Sequence, residues 1–319
     1  MQRVLTSVTL LGLLVATAAA FAITEHLKLK KSALYAVQVS AGQLHRAPPV
    51  VFSPVCGRNC QTRVARIEFK LRHPNRVKLT IVDSDHHTIA TLGDDHLLGA
   101  HSPQHLVWDG RSDTGEVVPD GVYYPWITLA NGRHTFEFAN EIHVDTQPPE
   151  VLSAKGLKRV LLAGPGRSLA IAYHLSEKAH PLVYLDGRQI ILGRKTEGDK
   201  VKWNGRLGGR ELREGKYVLS IGAQDLAGNK TPADKRKPVT VIVRYVELAP
   251  GRISVRSGGR IAVHVKTASR RYTWRLGQRR GARRGRVLRL SAPSTPGTYR
   301  LVVAEDGHSK TVVVKVRPK

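Results

Sequence analysis

Three tyrosines constrain most what this chain can fold into. DGVY at 120–123, EGKY at 214–217 and PGTY at 296–299 each lead into an apolar run: YPWITL, VLSIGA and RLVV. The tyrosines stand 94 and 82 residues apart. A period of that length is one small β-sandwich, so the chain is expected to hold three in tandem. A tryptophan strand precedes each tyrosine, at Trp108, Trp203 and Trp274, although the third gap is 25 residues against 15 and 14. Between Trp and Tyr the first two copies also match, WDGRSDTGEVVPDGVY against WNGRLGGRELREGKY.

The runs between these markers read as strands. In ARIEFKL, Ala65, Ile67, Phe69 and Leu71 alternate with polar partners, and Val77, Leu79 and Ile81 repeat the pattern in VKLTIVD. Alternation of period two is the signature of a half-buried strand. TIATL follows a turn at Asp83 and Asp85, LVW at 106–108 begins the next strand, and Asn131-Gly132 joins VYYPWITL to HTFEFANEIHV as a hairpin. No window outside the N-terminus sustains a 3.6-residue apolar repeat, so the chain is read as all-β. Pro148-Pro149 and the stretch around Pro250 mark the boundaries.

Residues 4–23 are twenty residues without a charge, long enough to cross a hydrocarbon core of about 30 Å as a helix. Ala20-Phe21-Ala22 also fits a signal-peptidase site, but the apolar run is longer than a usual signal peptide's. Residues 1–23 are therefore read as a transmembrane signal anchor, with a cleaved signal peptide as the alternative. Residues 24–49 are read as a juxtamembrane spacer, and 50–146, 147–246 and 247–319 as the three sandwiches. Either processing puts the bulk outside the cytoplasm: a single-pass cell-membrane protein, or a secreted one if cleaved. An exported chain permits a disulfide between Cys56 and Cys60, whose loop contains Gly57 and Asn59.

Residues 52–129 resemble the Ig-like domain of the flagellar hook-capping scaffold protein (FlgD-type), a domain that recurs in exported bacterial proteins. The resemblance rests on Phe52-Ser53-Pro54, on Ile81-x-Asp83, and on W-D-G-x-x-D-x-G-x-x-V-P-x-G-x-Y from Trp108 to Tyr123. Residues 200–243 resemble a reduced version, and AQDLAGN at 223–229 is similar to a turn of bacterial Ig-like repeats; residues 251–317 match only as a generic Ig-like sandwich. The resemblance implies a fold; the flagellar role does not transfer, because a shared fold does not settle a function.

Four groups of residues bear on chemistry. Asp109, Asp113, Glu116 and Asp120 crowd one loop, but turn chemistry accounts for them: Gly110, Gly115 and Gly121 supply positive φ, the aspartates bond to backbone, and Trp108 and Tyr123 anchor the ends. A calcium-loop spacing with a terminal glutamate is absent. His86, His87, His96, His101 and His105 lie beside Asp83, Asp85, Asp94 and Asp95, residue types that bind Zn²⁺ or Cu²⁺. No spacing fixes them on one face, and the region reads as an exposed hairpin loop. No nucleophile motif is present and Gly164-Pro165-Gly166 opens no helix, so neither catalysis nor a cofactor nor a metal is expected.

Charge is the remaining signal. The net charge is −2 over 46–149, +10 over 150–245 and +15 over 246–319. RRYTWRLGQRRGARRGRVLRL at 270–290 contributes Arg270, Arg271, Arg275, Arg279, Arg280, Arg283, Arg284, Arg286 and Arg289 beside Tyr272 and Trp274. Arginine pairs with phosphate or carboxylate in bidentate geometry. Outside the membrane the polyanions are wall polymers, acidic polysaccharides and lipid headgroups; nucleic acid is not expected there. The sequence thus points to a non-enzymatic cell-envelope scaffold or adhesion protein whose arginine-rich hairpin, the first eight of these residues, contacts an anionic surface. The alternative is an accessory module docking onto an exported protein assembly or enzyme.

Overall fold

A computed structural model of the 319-residue chain describes residue 17 and residues 32–42, 49–57, 59–131 and 134–319. Apart from Thr17, the apolar run 4–23 lies outside the described residues, and so does its reading as an anchor. Among the described residues no helix is long and apolar enough to cross a membrane. The described core is all-β, with one three-residue 3-10 turn at Ala233–Lys235. One compact unit ends at Thr146, and a second runs from Gln147 to Lys319.

The first unit holds one sandwich built from β1 (Leu34–Ala41), β2 (Val50–Phe52), β3 (Ala65–Leu71), β4 (Asn75–Val82), β5 (Thr88–Leu98), β6 (Gln104–Trp108), β7 (Gly121–Leu129), β8 (His134–Glu137) and β9 (Ile142–Val144). One sheet has the order β1-β3-β6 and the other β2-β9-β7-β4-β5, with β8 on the free edge of β7. Pairing is antiparallel except β2 with β9, which is parallel. The alternation in ARIEFKL is realised: Ala65, Ile67, Phe69 and Leu71 are all buried. Three expectations are corrected. Strand β1 occupies part of the stretch read as spacer; a register shift between Tyr35 and Gln38 breaks its alternation, which hid it. LVW ends β6 instead of beginning a strand, and HTFEFANEIHV is divided into β8 and β9.

The second unit carries two sandwiches. Strands β10 (Val151–Gly156), β11 (Val160–Leu162), β12 (Leu169–Leu185), β13 (Arg188–Leu192), β14 (Thr196–Trp203), β15 (Arg206–Leu207), β16 (Arg210–Glu211), β17 (Gly215–Gln224) and β18 (Lys237–Arg244) form the first of these. Here β12 runs through both layers: residues 171–175 pair with β10 and 169–174 with β14, and 180–185 pair with β17. The third sandwich comprises β19 (Glu247–Ala249), β20 (Arg252–Arg256), β21 (Arg260–Lys266), β22 (Arg271–Leu276), β23 (Arg279–Arg284), β24 (Val287–Ser291), β25 (Gly297–Glu305) and β26 (His308–Arg317). Its sheets are β19-β21-β24 and β20-β26-β25-β22-β23. No exposed linker separates these two sandwiches, because Tyr245 and Val246 are buried in a core continuous with Ile261, Val263 and Val312.

All three sandwiches therefore share one strand order, with a short early strand parallel to the last strand (β2 with β9, β11 with β18, β20 with β26). The three marker tyrosines play one part in it. Tyr123, Tyr217 and Tyr299 each donate a hydroxyl hydrogen bond to the carbonyl four residues upstream, at Pro119 (2.9 Å), Arg213 (2.8 Å) and Thr295 (3.0 Å). This is the tyrosine corner of immunoglobulin-like sandwiches. The tryptophans divide differently. Trp108 and Trp203 end equivalent strands, and each donates Nε1 to the carbonyl three residues on, at Arg111 and Arg206. Trp274 is on β22, in the opposite sheet, so it is not their counterpart.

Candidate functional site

The acidic loop is structural in every carboxylate that marks the motif. Asp109 accepts the Arg111 amide, and Asp113 accepts the Thr91 amide (2.7 Å) and hydroxyl, binding the loop to β5. Asp120 accepts the Thr146 amide at 2.8 Å, just past β9. The second copy reproduces the scheme with other residues: Asn204 accepts the Arg206 amide, and Glu214 accepts the Tyr245 amide just past β18. Gly110 and Gly205 sit at φ +76° and +80°, and a Cβ on either would press on a neighbouring residue, Pro54 just past β2 or Leu161 of β11. Gly115 is also left-handed, but Gly121 is not, so its expected positive φ is corrected. A Cβ there would meet the Tyr123 ring at 3.8 Å, ordinary van der Waals contact.

The histidines go to separate partners. His87 meets Asp83, His105 meets Glu68, His101 bonds Tyr35, and His86 packs edge-on against Trp126. The region is only partly a loop: His86, His87 and His101 lie between strands, but His105 is on β6 and His96 on β5, with Asp94 and Asp95 on the same strand paired to Lys78 and Arg76. Among the described residues no three His, Cys, Asp or Glu side chains come together as a metal site. Cys56 and Cys60 are joined as a disulfide with Cα atoms 5.8 Å apart.

The arginine hairpin is real, and strand register sorts its members. Arg271 stands opposite Arg284, and Arg275 opposite Arg280, across β22 and β23. Residues directly opposite share a face, and the intervening Tyr272, Trp274 and Leu276 are buried, so these four arginines lie on the outer face. Arg279 and Arg283 stand opposite Leu276 and Tyr272 at the sheet edge, where Arg279 donates to the Ser291 carbonyl at 2.8 Å. Arg270 and Arg286 lie beyond the strand ends.

The outer face then extends over strands the hairpin reading omitted. Arg300 on β25, Lys315 and Arg317 on β26, and Arg252 and Arg256 on β20 are exposed on it by the same register logic. Five strands thus present nine cations: Arg252, Arg256, Arg271, Arg275, Arg280, Arg284, Arg300, Lys315 and Arg317. The other outward residues are Ser, Thr, Ala and Val, with no carboxylate among them. None of the nine forms an ion pair; the third sandwich's ion pairs use Lys266, His308 and Lys310 instead. At about 4.8 Å between strands the face is roughly 20 Å across. Arg256 also faces Arg317 directly, giving three like-charge cross-strand pairs. Like charges so placed are destabilising. The sequence signal that could have found the extension is alternation, as in R-I-S-V-R at 252–256 and K-V-R at 315–317.

No family model matches the chain, and no curated protein matches it. The resemblance to the hook-capping domain therefore rests on the motif residues alone. Solved structures do match. A three-Ig fragment of titin, an E-to-A variant, is 12% identical over 90% of this chain and 98% of its own, with a TM-score of 0.30. Fibronectin(III)-like modules of Clostridium thermocellum CbhA are 16% identical over 65% of this chain and 94% of theirs, with a TM-score of 0.34. The mixed-linkage glucan locus protein SGBP-B of Bacteroides ovatus, in complex with a mixed-linkage heptasaccharide, is 13% identical over 84% of this chain and 66% of its own, at 0.24. Superpositions this loose decide nothing about function, and the immunoglobulin-like fold rests on strand order and the tyrosine corners.

Proposed function

We propose that this chain is a non-enzymatic, membrane-anchored scaffold of the cell envelope whose third sandwich holds an anionic polymer. The observation that carries the reading is the nine-cation, carboxylate-free face of β20, β26, β25, β22 and β23. Unpaired guanidinium groups spread over one sheet face suit repeated phosphate or carboxylate groups along a polymer. A bound polyanion would also relieve the three like-charge pairs, which the sandwich otherwise keeps at a cost in stability. Export makes wall polymers and acidic polysaccharides the available ligands.

The test is sedimentation of the full chain with isolated wall material across a salt series. Attraction between surface charges is screened over about 8 Å at physiological ionic strength and about 3 Å at 1 M. Binding is expected at low salt, with release as salt rises and loss on replacing Arg275, Arg280 and Arg284 with alanine. No binding at low salt, or binding indifferent to those replacements, sinks the proposal. Retention of one stoichiometric protein partner at high salt would establish the docking alternative instead. Protease shaving of intact cells tests the topology: the sandwiches are expected to be cleaved from outside.

A further inference from the structure

A groove of about 580 Å³ lies where the second and third sandwiches of the Gln147–Lys319 unit meet. That size falls within the roughly 300–1,000 Å³ of small-molecule sites. The Gly164-Pro165-Gly166 loop leads into the lining residue Arg167 and brings the second sandwich against Ala268 of the third. A side chain at Gly164 would overlap Ala268, so only glycine allows this approach. Arg167 then donates Nε (3.0 Å) and Nη2 (2.7 Å) to the Ala268 carbonyl, tying the two sandwiches together at the groove.

Two chemistries share the lining. Leu157, Val160 and Leu162 give it an apolar part, and two of these stay open to solvent, Leu157 at 55% and Val160 at 38%. Lys158, Arg167, Lys266, Arg270 and Arg286 also line it, and no carboxylate does. Lys266 is paired with Glu247 at 3.3 Å, and the other four form no ion pair. Arg270 and Arg286 are held together because the Gly285 amide donates to the Arg270 carbonyl at 3.0 Å. Arg270 also has φ +61°, a backbone conformation residues with side chains rarely adopt. A polyanion alone would leave the leucine and valine side chains wet, and an apolar ligand alone would bury unpaired cations.

We propose that this groove binds a single-chain anionic amphiphile, a phosphate or carboxylate head on an acyl or alkyl tail. The head lies against Lys158, Arg270 and Arg286, and the tail covers Leu157 and Val160. This site is separate from the outer sheet face and draws on other residues.

The test is calorimetric titration of the full chain, held in a non-ionic amphipol, with monomeric octyl phosphate, octyl glucoside and inorganic phosphate. Octyl phosphate is expected to bind saturably at one per chain, and each of the other two at least tenfold more weakly. Lys158→Glu with Arg286→Glu should weaken octyl phosphate at least tenfold, and Leu157→Ser, which leaves every charge in place, several-fold. Arg280→Glu with Arg284→Glu should change it less than twofold, which separates this site from the polymer face. Equal binding of octyl glucoside, equal binding of inorganic phosphate, or groove variants that bind as the parent does would each overturn the proposal.

Discussion

Replacing Arg280 and Arg284 with glutamate should make the third sandwich more stable while abolishing its affinity for polyanions. Each change converts a directly opposed like-charge pair, Arg275 with Arg280 and Arg271 with Arg284, into an opposite-charge pair. A cross-strand charge pair is worth about 0.2–1 kcal/mol in either sense. Reversing its sign counts twice, and exposure reduces the result, so two pairs together should add about 1–2 kcal/mol. The Gln147–Lys319 unit has 173 residues. For a unit of that size about 1 kcal/mol moves the melting temperature by about 2–4 °C, giving an expected rise of about 2–8 °C. Urea and thermal unfolding followed by tryptophan fluorescence would measure it, since Trp274 packs against Gly281 on this strand pair. The gain should shrink in 1 M salt, where the screening length is about 3 Å. A loss of stability, or a gain untouched by salt, would refute the reading of the face as crowded like charge. Unchanged polymer binding would refute its role.

Three further outcomes follow from the geometry. Tyr123→Phe removes the hydroxyl bond to Pro119 and should cost the first unit about 1 kcal/mol in urea unfolding, with the fold unchanged by circular dichroism. Gly110→Ala and Gly115→Ala both place a side chain at positive φ, worth about 1–2 kcal/mol, but Gly110 also meets Pro54 at 2.9 Å while Gly115 opens onto free space. Gly110→Ala should therefore be the more destabilising by at least about 1 kcal/mol, and equal effects would count against the packing argument. Hydrogen bonds from His308 and then Arg206 hold the Glu211 carboxyl below its ordinary 4.5. A carboxyl lowered by folding stabilises above its ordinary value and ceases to as pH falls through the lowered one. Thermal melts below about pH 5 should therefore fall more steeply for the parent than for Glu211→Gln, and parallel curves would remove that contact from the account.

Local pattern carried the strands and the markers, and long-range pairing carried what was missed. Alternation in ARIEFKL was readable because each strand has one wet face, and Trp108 and Tyr123 were readable because their bonds reach only three or four residues. Strand β1 was not, since its bulge breaks the alternation that would have announced it. Trp274 satisfied a spacing but belongs to another strand, and spacing cannot distinguish sheets. The eight hairpin arginines looked like one cluster in sequence, yet register divides them among a face, an edge and a groove. Arg256 and Arg317 are neighbours on that face although 61 residues apart, and no local window could have joined them.

The parallel pairing of an early strand with the last strand also sets how each sandwich bears load. A chain drawn out from its two sides pulls β20 and β26 along their lengths in opposite senses. The five paired residues from Arg252 with Val313 to Arg256 with Arg317 then resist together, in shear, instead of opening one at a time like a zip. The shorter clamps, Val50 to Phe52 on Ile142 to Val144 and Val160 to Leu162 on Ile242 to Arg244, have three pairs each. Under tension the sandwich carrying the cationic face is the one whose clamp has the most bonds to break, so the domain proposed to grip the polymer has the longest clamp to hold it closed.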